Sequence, residues 1–266
     1  AYLIDAPDIF LPTRTNPISH APKMIYGSKP VDGSGEKREK GQKKIGNLVL
    51  TEAERTQLLH DDPGSGKWLH PFIGSEELIN GNPRWCLWLK DVDPTDLRSS
   101  IPIMQRLEKV RAFRLKSTKK PTRESATTPA LFAELRQPTS KYLAVPEVSS
   151  ERRNYIPLAF LDEHIIASNL LYTVPGAKTY DFGIITSLMH MAWVRSVCGR
   201  HESRYRYSAG IVYNNFPWPE LPARQRIAIE TAAQAVRNER VRHPESTLAD
   251  LYDPLSMPPA LVKAHQ

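Results

Sequence analysis

The stretch YLAVPEVSSERRNYIPLAFLDEHIIASNLLYTVPGAKTY, residues 142–180, carries the reading on which the fold class turns. It holds three short runs rich in aliphatic, aromatic and β-branched residues: Tyr142 to Val145, Tyr155 to Leu161 and Leu170 to Val174. Pro146, Pro157 and the Pro175-Gly176 pair break them. Short apolar runs between chain breakers read as strands, so this part predicts a β-rich core. Immediately downstream, Ile185, Leu188, Met189, Ala192 and Trp193 recur at helical spacing, which predicts a helix over Asp181 to Cys198 ended by Gly199.

Working outward, the N-terminal side mixes both element types. Pro7, Pro12, Pro17, Pro22 and Pro30 forbid a long helix and predict an extended connector lying along another domain. The Glu36 to Lys44 run follows a Gly-Ser-Gly turn and holds no apolar residue, so it reads as a solvated loop, with phosphate contact as the alternative. Thr51 and Glu54 form a capping-box pattern for a short helix ending near Pro63. Gly64-Ser65-Gly66-Lys67 lacks the four-residue spacer of a phosphate loop and is followed by Trp68, so it reads as a turn. Trp85 to Leu89 predicts a buried strand, and Ser99 or Ser100 caps a helix with Ile103, Leu107, Val110 and Phe113 on its apolar face. The basic residues of that helix, Arg106, Lys109, Arg111, Arg114 and Lys116, fall largely elsewhere and continue into Lys119, Lys120 and Arg123. Beyond Trp218-Pro219, Ile229, Ala232, Ala233 and Val236 predict a helix over Arg224 to Arg240, and Leu251 to Gln266 ends in the beginning of another. The fold class expected is α+β: a β-rich body with packed helices, then a small helical tail.

The 266 residues carry 36 Lys and Arg against 29 Asp and Glu, a formal charge of +7 that favours a polyanionic partner without naming it. With 23 Pro against 13 Gly, a simple helical bundle is disfavoured. Cys86 and Cys198, far apart in apolar runs, read as free thiols. No apolar run reaches the roughly 18 to 20 residues of a membrane span and no signal peptide opens the chain, so the expected location is cytoplasmic. The eight histidines show no metal-ligand spacing, His190 reads as a packed residue, and no nucleophile-base order or Glu-x-Lys pair is legible. No catalytic or metal-binding residue is therefore expected in this chain.

Candidate binding residues concentrate in Arg200-His201-Glu202-Ser203-Arg204-Tyr205-Arg206-Tyr207-Ser208. If this segment is extended, alternation puts Glu202, Arg204 and Arg206 on one face and Ser203, Tyr205 and Tyr207 on the other. Arg donates a fork of hydrogen bonds to guanine and Glu accepts from the cytosine amino group, so such an edge can read a base pair. A ladder of ion pairs across strands is the alternative, and spacing does not choose between them. Glu147 and Asn169 stand at expected strand edges, where ordinary turn residues also stand. Arg152, Arg153 and Asn154, with Lys116, Lys119, Lys120, Arg123, Lys141, Lys178, Arg200 and Ser203, are the candidates for contacts to phosphate.

The run Tyr207-Ser208-Ala209-Gly210-Ile211-Val212-Tyr213-Asn214-Asn215-Phe216-Pro217-Trp218-Pro219 resembles the MmeI-like DNA adenine methyltransferases. So do Asp5-Ala6-Pro7-Asp8, Asn80 to Leu89, Phe182-Gly183 with Met189 to Trp193, Val197 to Arg200, and Tyr252 to Leu255 with Met257 to Leu261. In that family of type IIG restriction-modification enzymes, one polypeptide joins a nuclease, a helical connector, an S-adenosylmethionine-dependent adenine methyltransferase, a target-recognition domain and a helical tail. The resemblance covers the last two. It implies that residues 1–45 are a strap from the methyltransferase domain with a charged loop, 46–218 the DNA target-recognition domain, and 219–266 a truncated C-terminal helical region. It also implies double-stranded DNA and the methyltransferase domain of the same polypeptide as partners, with the cofactor loop and the catalytic motif upstream of Ala1 and no cofactor held here. The positions matching the family's base readers are Glu147, Asn169, Leu170, Glu202, Arg204 and Arg206, while Tyr213 to Trp218 is expected to be a structural hinge. The competing readings are a protein-interaction or assembly module with incidental basic charge, and a self-contained hydrolase.

Overall fold

In the computed structural model, residues 10–33 and 46–266 are described. The charged run Glu36 to Lys44 and the Asp5 to Asp8 block lie outside them. The N-terminal half holds β1 (Ile25–Tyr26), β2 (Val49–Leu50), α1 (Glu52–Asp61), β3 (Leu69–Ile73), α2 (Ser75–Asn80), β4 (Arg84–Leu87), α3 (Pro94–Ser99), α4 (Ile101–Leu115) and α5 (Lys120–Glu124). The strand-rich centre follows as β5 (Tyr142–Pro146), β6 (Val148–Ser149), β7 (Ala159–Leu161), β8 (Ile166–Ala167) and β9 (Leu171–Pro175). Then come α6 (Thr179–Ile185), α7 (Leu188–Val197), β10 (Gly199–His201), β11 (Arg204–Arg206), α8 (Ala223–Val241), α9 (Leu248–Leu251) and α10 (Pro259–His265). This is the expected α+β arrangement with a helical tail.

The strands form three small sheets, ordered β1-β9-β5-β7, β2-β4-β3-β8 and β10-β11-β6. The first is central. Its antiparallel β5–β9 ladder pairs Leu143 with Val174 and ends by pairing Pro146 with Leu171. Residues 142–145 are completely buried, as a near-continuous apolar strand between covered faces should be. Leu143, Val145, Tyr172 and Val174 join α6, α7 and the tail in the largest core. The second sheet packs with α4 around Leu50, Phe72, Leu87, Ile103 and Val110 to form another.

Several sequence expectations are modified. Of the Tyr155 to Leu161 run only Ala159–Leu161 is strand; Pro157 has no N–H to pair, and Tyr155, Ile156 and Leu158 are buried as irregular chain instead. The predicted Asp181 to Cys198 helix is two helices. Ser187 breaks it by accepting the N–H of His190 at 3.1 Å while donating to the Ile184 carbonyl at 2.7 Å, a new N-cap inside an apolar periodicity. Gly199 is not a helix cap: it opens β10, after Cys198 has already turned extended. The buried strand is Arg84–Leu87, with Trp88 just past its end. Ala232 is exposed, and the positions that α8 buries are Ala233, Val236 and Glu239. Thr51 and Glu54 do form a reciprocal capping box. Gly64 to Lys67 is a 3-10 turn, and both cysteines are free thiols.

The largest departure is on α4. Its buried stripe runs Ile103, Leu107, Val110, Arg114, so Phe113 is rotated outward and is 43% exposed while Arg114 is fully buried. All five guanidinium N–H groups are used. Nε donates to the Val31 carbonyl at 2.9 Å, Nη1 to Ser125 at 2.8 Å and Thr128 at 3.0 Å, and Nη2 to Pro30 at 2.8 Å and Leu131 at 2.7 Å. A planar fork of five donors meets five backbone carbonyls that no sheet satisfies, and joins the incoming strap to the loop after α5. Nearby, the buried Asp32 carboxylate accepts from the Leu48 and Val49 N–H groups at 2.6 and 3.1 Å. Burial raises its pKa above the ordinary carboxylate value, against the opposing pull of those hydrogen bonds and of Arg114.

The strap and tail are integral to the body. Asn214 Nδ2 donates to the Arg14 carbonyl at 2.8 Å, and Asn215 Nδ2 reaches the Pro12 carbonyl at 3.0 Å. Tyr213, Phe216 and Trp218 are buried in the main core, so the block expected to be a hinge is packed interior whose asparagines hold the strap. Gly183 lets α8 approach α6: a Cβ there would lie 2.9 Å from Ile229 Cγ2 and 3.0 Å from Ala233 Cβ.

Replacing Arg114 by Leu removes a donor from five carbonyls, of which those of Pro30, Ser125 and Thr128 keep a backbone N–H partner, and should lower the unfolding free energy by about 2–4 kcal/mol. Arg114→Lys, with three donors in a different geometry, should recover less than half of that. Thermal and urea unfolding of the three proteins measure it.

Candidate nucleic-acid interface

Two chain crossovers between sheets and a hairpin meet on one side of the molecule. The chain leaves the central sheet for β6 at Glu147, between Pro146 and Val148. It passes from β8 into β9 through Ser168, Asn169 and Leu170. The β10–β11 hairpin joins through β11, whose Tyr205 and Arg206 pair with Ser149 and Val148 of β6.

Clefts surround this meeting point. A cleft of about 540 Å³ is lined by α2 and Arg84 on one wall and by Glu147 to Ser150, Arg153, His201 and Arg204 on the other. A second, of about 260 Å³, lies among Tyr26, Lys29, Glu134, Arg136, Glu147, Asn169, Leu170 and Arg206. A third, of about 360 Å³, reaches from Asn169 and Leu170 past Arg84 to Phe113 and the strap. Leu170 borders all three. Its apolar side chain is 51% exposed among charged neighbours.

The segment from Arg200 to Arg206 is a hairpin rather than one extended strand. Arg200 pairs with Tyr205 and His201 with Arg204, leaving Glu202 and Ser203 as its two-residue loop. Glu202 has φ +59°, the left-handed region, so strict alternation stops there. Arg204 and Arg206 do share the exposed face, and Tyr205 and Tyr207 are buried behind them. Both arginines are paired with carboxylates: Arg204 Nη2 to Glu202 Oε2 at 2.8 Å, and Arg206 Nε to Glu147 Oε1 at 3.3 Å. Glu147 itself is only 6% exposed.

The structure brings Glu147, Asn169, Leu170, Arg204 and Arg206 to adjoining clefts and puts Glu202 at the hairpin tip beside Arg204. The expected phosphate-contacting residues are dispersed more widely. Arg153 lines the cleft of about 540 Å³. Arg200 stacks on Tyr205 at 4.0 Å and donates to the Ser203 carbonyl at 3.2 Å. Asn154 accepts from Arg195 at 3.2 Å, and Arg152 lies exposed beside it. Lys116, Lys119, Lys120 and Arg123 form a separate exposed group after α4, where Arg123 donates to the Ser117 and Thr118 carbonyls at 3.0 and 2.8 Å. Lys141 faces Asp162 at 4.0 Å. Lys178 precedes α6 and gives its backbone N–H to Asp181 at 2.7 Å.

Sequence reasoning passed over Ser75, Arg84, Arg136 and His201, which line the same clefts. Arg84 pairs with the buried Glu77, Nε to Oε1 at 2.8 Å. Its position inside the Asn80 to Leu89 block was the available signal; Ser75 has none in the sequence. Among the described residues no group of His, Cys, Asp or Glu is arranged to hold a metal ion, and no helix is long and apolar enough to cross a membrane.

Residues 5–220 match the family description "MmeI, target recognition domain", and residues 221–266 match "MmeI, C-terminal domain". The chain belongs to the MmeI family. A solved structure of the type IIL restriction-modification enzyme MmeI in complex with DNA superposes with a TM-score of 0.92 at 44% identity, over 99% of this chain and 34% of that one. DNA methyltransferase A of Bacillus subtilis (strain 168) is 40% identical over 265 residues, 100% of this chain and 29% of the relative. The chain thus spans about a third of the length of these relatives. The sequence-level resemblance and the fold expected from it hold.

Behind the clefts, the Tyr207 N–H donates to the Glu147 carbonyl at 2.7 Å, and its hydroxyl meets His190 Nε2 at 2.9 Å. His190 is the packed histidine expected from the sequence, and burial pushes its pKa down from 6.5 to about 3. The folded state therefore holds it neutral while the unfolded chain takes up a proton below 6.5. Stability from this residue is fully present above 6.5 and is lost as pH falls toward about 3. The slope approaches about 1.4 kcal/mol per pH unit. His190→Gln, which keeps an amide for Tyr207, should remove that increment from the pH dependence of urea unfolding; an unchanged slope would mean that the imidazole is protonated in place.

Proposed function

We propose that this chain is the sequence-reading part of a DNA adenine-N6 methyltransferase and restriction-modification enzyme, with no catalytic group of its own. The observation that carries the reading is the convergence of Glu147, Asn169, Leu170, Arg204 and Arg206 on one set of open, charge-lined clefts. The DNA complex of the structural relative and the methyltransferase named in the curated relative support it. S-adenosylmethionine would be held by the methyltransferase domain of the same polypeptide: this chain has neither an Asn-Pro-Pro-Tyr-like motif nor a glycine-rich cofactor loop. That domain supplies methyl transfer to an adenine turned out of the duplex. This chain's residues fix which adenine is presented. We place the enzyme in the cytoplasm, where its DNA is.

Glu147, Asn169, Leu170, Glu202, Arg204 and Arg206 would face base edges in the major groove, where arginine forks select guanine and carboxylates accept the cytosine amino group. The internal Arg204–Glu202 pair does not oppose this. An ion pair this exposed is worth little in water, so exchanging partner for base edge costs little. Lys116, Lys119, Lys120, Arg123, Lys141, Arg152, Arg153, Asn154, Lys178, Arg200 and Ser203 would touch phosphate and sugar and set the register without choosing bases. The division into strap (1–45), recognition domain (46–218) and helical tail (219–266) is part of the same proposal. In it the strap and tail brace the reader through the core they share with it.

In the full-length polypeptide, exchanging Glu202 and Arg204 for each other should change the base at one position of the methylated motif, by a factor of about ten or more in discrimination. Sequencing methylated adenines reads this directly, and an unchanged motif removes the hairpin from the reading surface. Lys119→Ala with Lys120→Ala should weaken DNA binding evenly across sequences and flatten the salt dependence by about two counterions. Affinity insensitive to salt in the unaltered enzyme would favour a protein-assembly module.

A further inference from the structure

The β5–β9 ladder stops at Pro146 and Leu171, and the next two residues facing each other are Glu147 and Leu170. A regular antiparallel rung would join the Glu147 N–H directly to the Leu170 carbonyl. Here the chains part, because one turns toward β6 and the other arrives from β8. The hydroxyl of Ser75 fills the gap. It accepts the Glu147 N–H at 2.8 Å and donates to the Leu170 carbonyl at 2.5 Å, with the Val148 N–H further away at 3.4 Å.

Ser75 is the first residue of α2. Two features bring it there. Gly74 lacks the Cβ that would lie 2.8 Å from Ser168 Oγ and 2.9 Å from Glu77 Oε2. The Gly74 N–H is then fixed by Glu77 Oε2 at 2.8 Å. On the other side, the Leu170 N–H donates to Ser168 Oγ at 3.2 Å, and the Glu147 carbonyl accepts from Tyr207 at 2.7 Å.

We propose that Ser75 is a positioning residue for base recognition: its hydroxyl substitutes for the missing ladder rung and sets the spacing between the two crossovers that carry Glu147 and Leu170. This rests on the reading of those two residues given above. Ser75 needs to touch no base. It acts on the backbone of both readers at once and makes no bond to the hairpin tip at Glu202 and Ser203. Removing the hydroxyl leaves the Glu147 N–H and the Leu170 carbonyl without their shared partner, and the two crossovers are free to separate.

The test is sequencing of methylated adenines with full-length Ser75→Ala, beside Glu147→Ala, Leu170→Ala and Ser75→Thr. Ser75→Ala should lose roughly tenfold discrimination at the positions that Glu147→Ala and Leu170→Ala alter, with the position set by Glu202 and Arg204 unchanged. Ser75→Thr, which keeps the hydroxyl, should restore the motif. If Ser75→Ala does not fold, Ser75→Cys carries the test, since a thiol of similar shape is a weak donor and acceptor. A motif unchanged, or methylation lowered evenly at all sites, overturns the proposal and leaves Ser75 a structural residue. If Glu147→Ala and Leu170→Ala themselves leave the motif unchanged, the base-reading assignment fails instead, and the positioning role falls with it.

Discussion

The register of β5 against β9 is the constraint on which the meeting of the crossovers depends. With Leu143 opposite Val174 and Pro146 opposite Leu171, the buried side chains Leu143, Val145, Tyr172 and Val174 reach the main core, and the ladder runs out one residue before Glu147 and Leu170. A slip of one residue would turn each of those side chains to the opposite face and shift one crossover past the other. The pairing therefore sets in a single step what is inside and which groups emerge together at the edge. Burial of the whole strand specifies the register, and Pro146, which has no N–H, suits the last position of the ladder.

Polar groups in the interior choose the geometry around this ladder. Arg114, Asn214 and Asn215 spend their donors on carbonyls of irregular chain, at Val31, Pro30 and Leu131 in one place and at Arg14 and Pro12 in another. Each is a fixed pattern of donors that a displaced strap would leave unsatisfied. That is a strong penalty against wrong arrangements, even where the net gain over an apolar interior is small. The tail is held in the same manner. Arg240 donates to the Leu158 carbonyl at 2.6 Å and to Tyr252, whose hydroxyl also meets His265 at 2.9 Å. His265 stacks on Tyr155 at a centroid distance of 3.9 Å, so the end of the chain packs against the segment that follows β6.

Periodicity made the β-rich centre, the capping box at Thr51, the helix after Ser100 and the long tail helix legible. It did not distinguish the apolar stripe of α4 from its neighbour, because Arg114 occupies a core position and Phe113 a surface one; only the carbonyls brought from residues 30, 31, 125, 128 and 131 make that choice favourable. Likewise the Asp181 to Cys198 periodicity is unbroken, and the interruption depends on one hydroxyl, that of Ser187. In the interface, the alternation of Arg204, Tyr205, Arg206 and Tyr207 predicted correctly which side chains are exposed and which are buried. The hairpin turn at Glu202 was hidden, since neither Glu202 nor Ser203 is a strong turn former for positive φ. Glu147, Asn169 and Leu170 came from the resemblance. Their closeness follows from a strand register that local sequence does not encode.

The way these crossovers are held bears on the base contacts proposed for them. Leu170 is fixed through its N–H and carbonyl, by Ser168 and Ser75, and Glu147 through the same two groups, by Ser75 and Tyr207. None of these four bonds uses the side chain of the residue being held. The side chain at 170 is half-exposed and packs into no core, and the Glu147 carboxylate has the exposed Arg206 as its partner. A different side chain at 170 thus meets a backbone already in place and loses only a surface contact, whereas one at 147 also breaks the pair of a buried carboxylate with Arg206. The backbone of Glu147 and Leu170 is thus what the fold holds, and their side chains are what the base contacts proposed above would use.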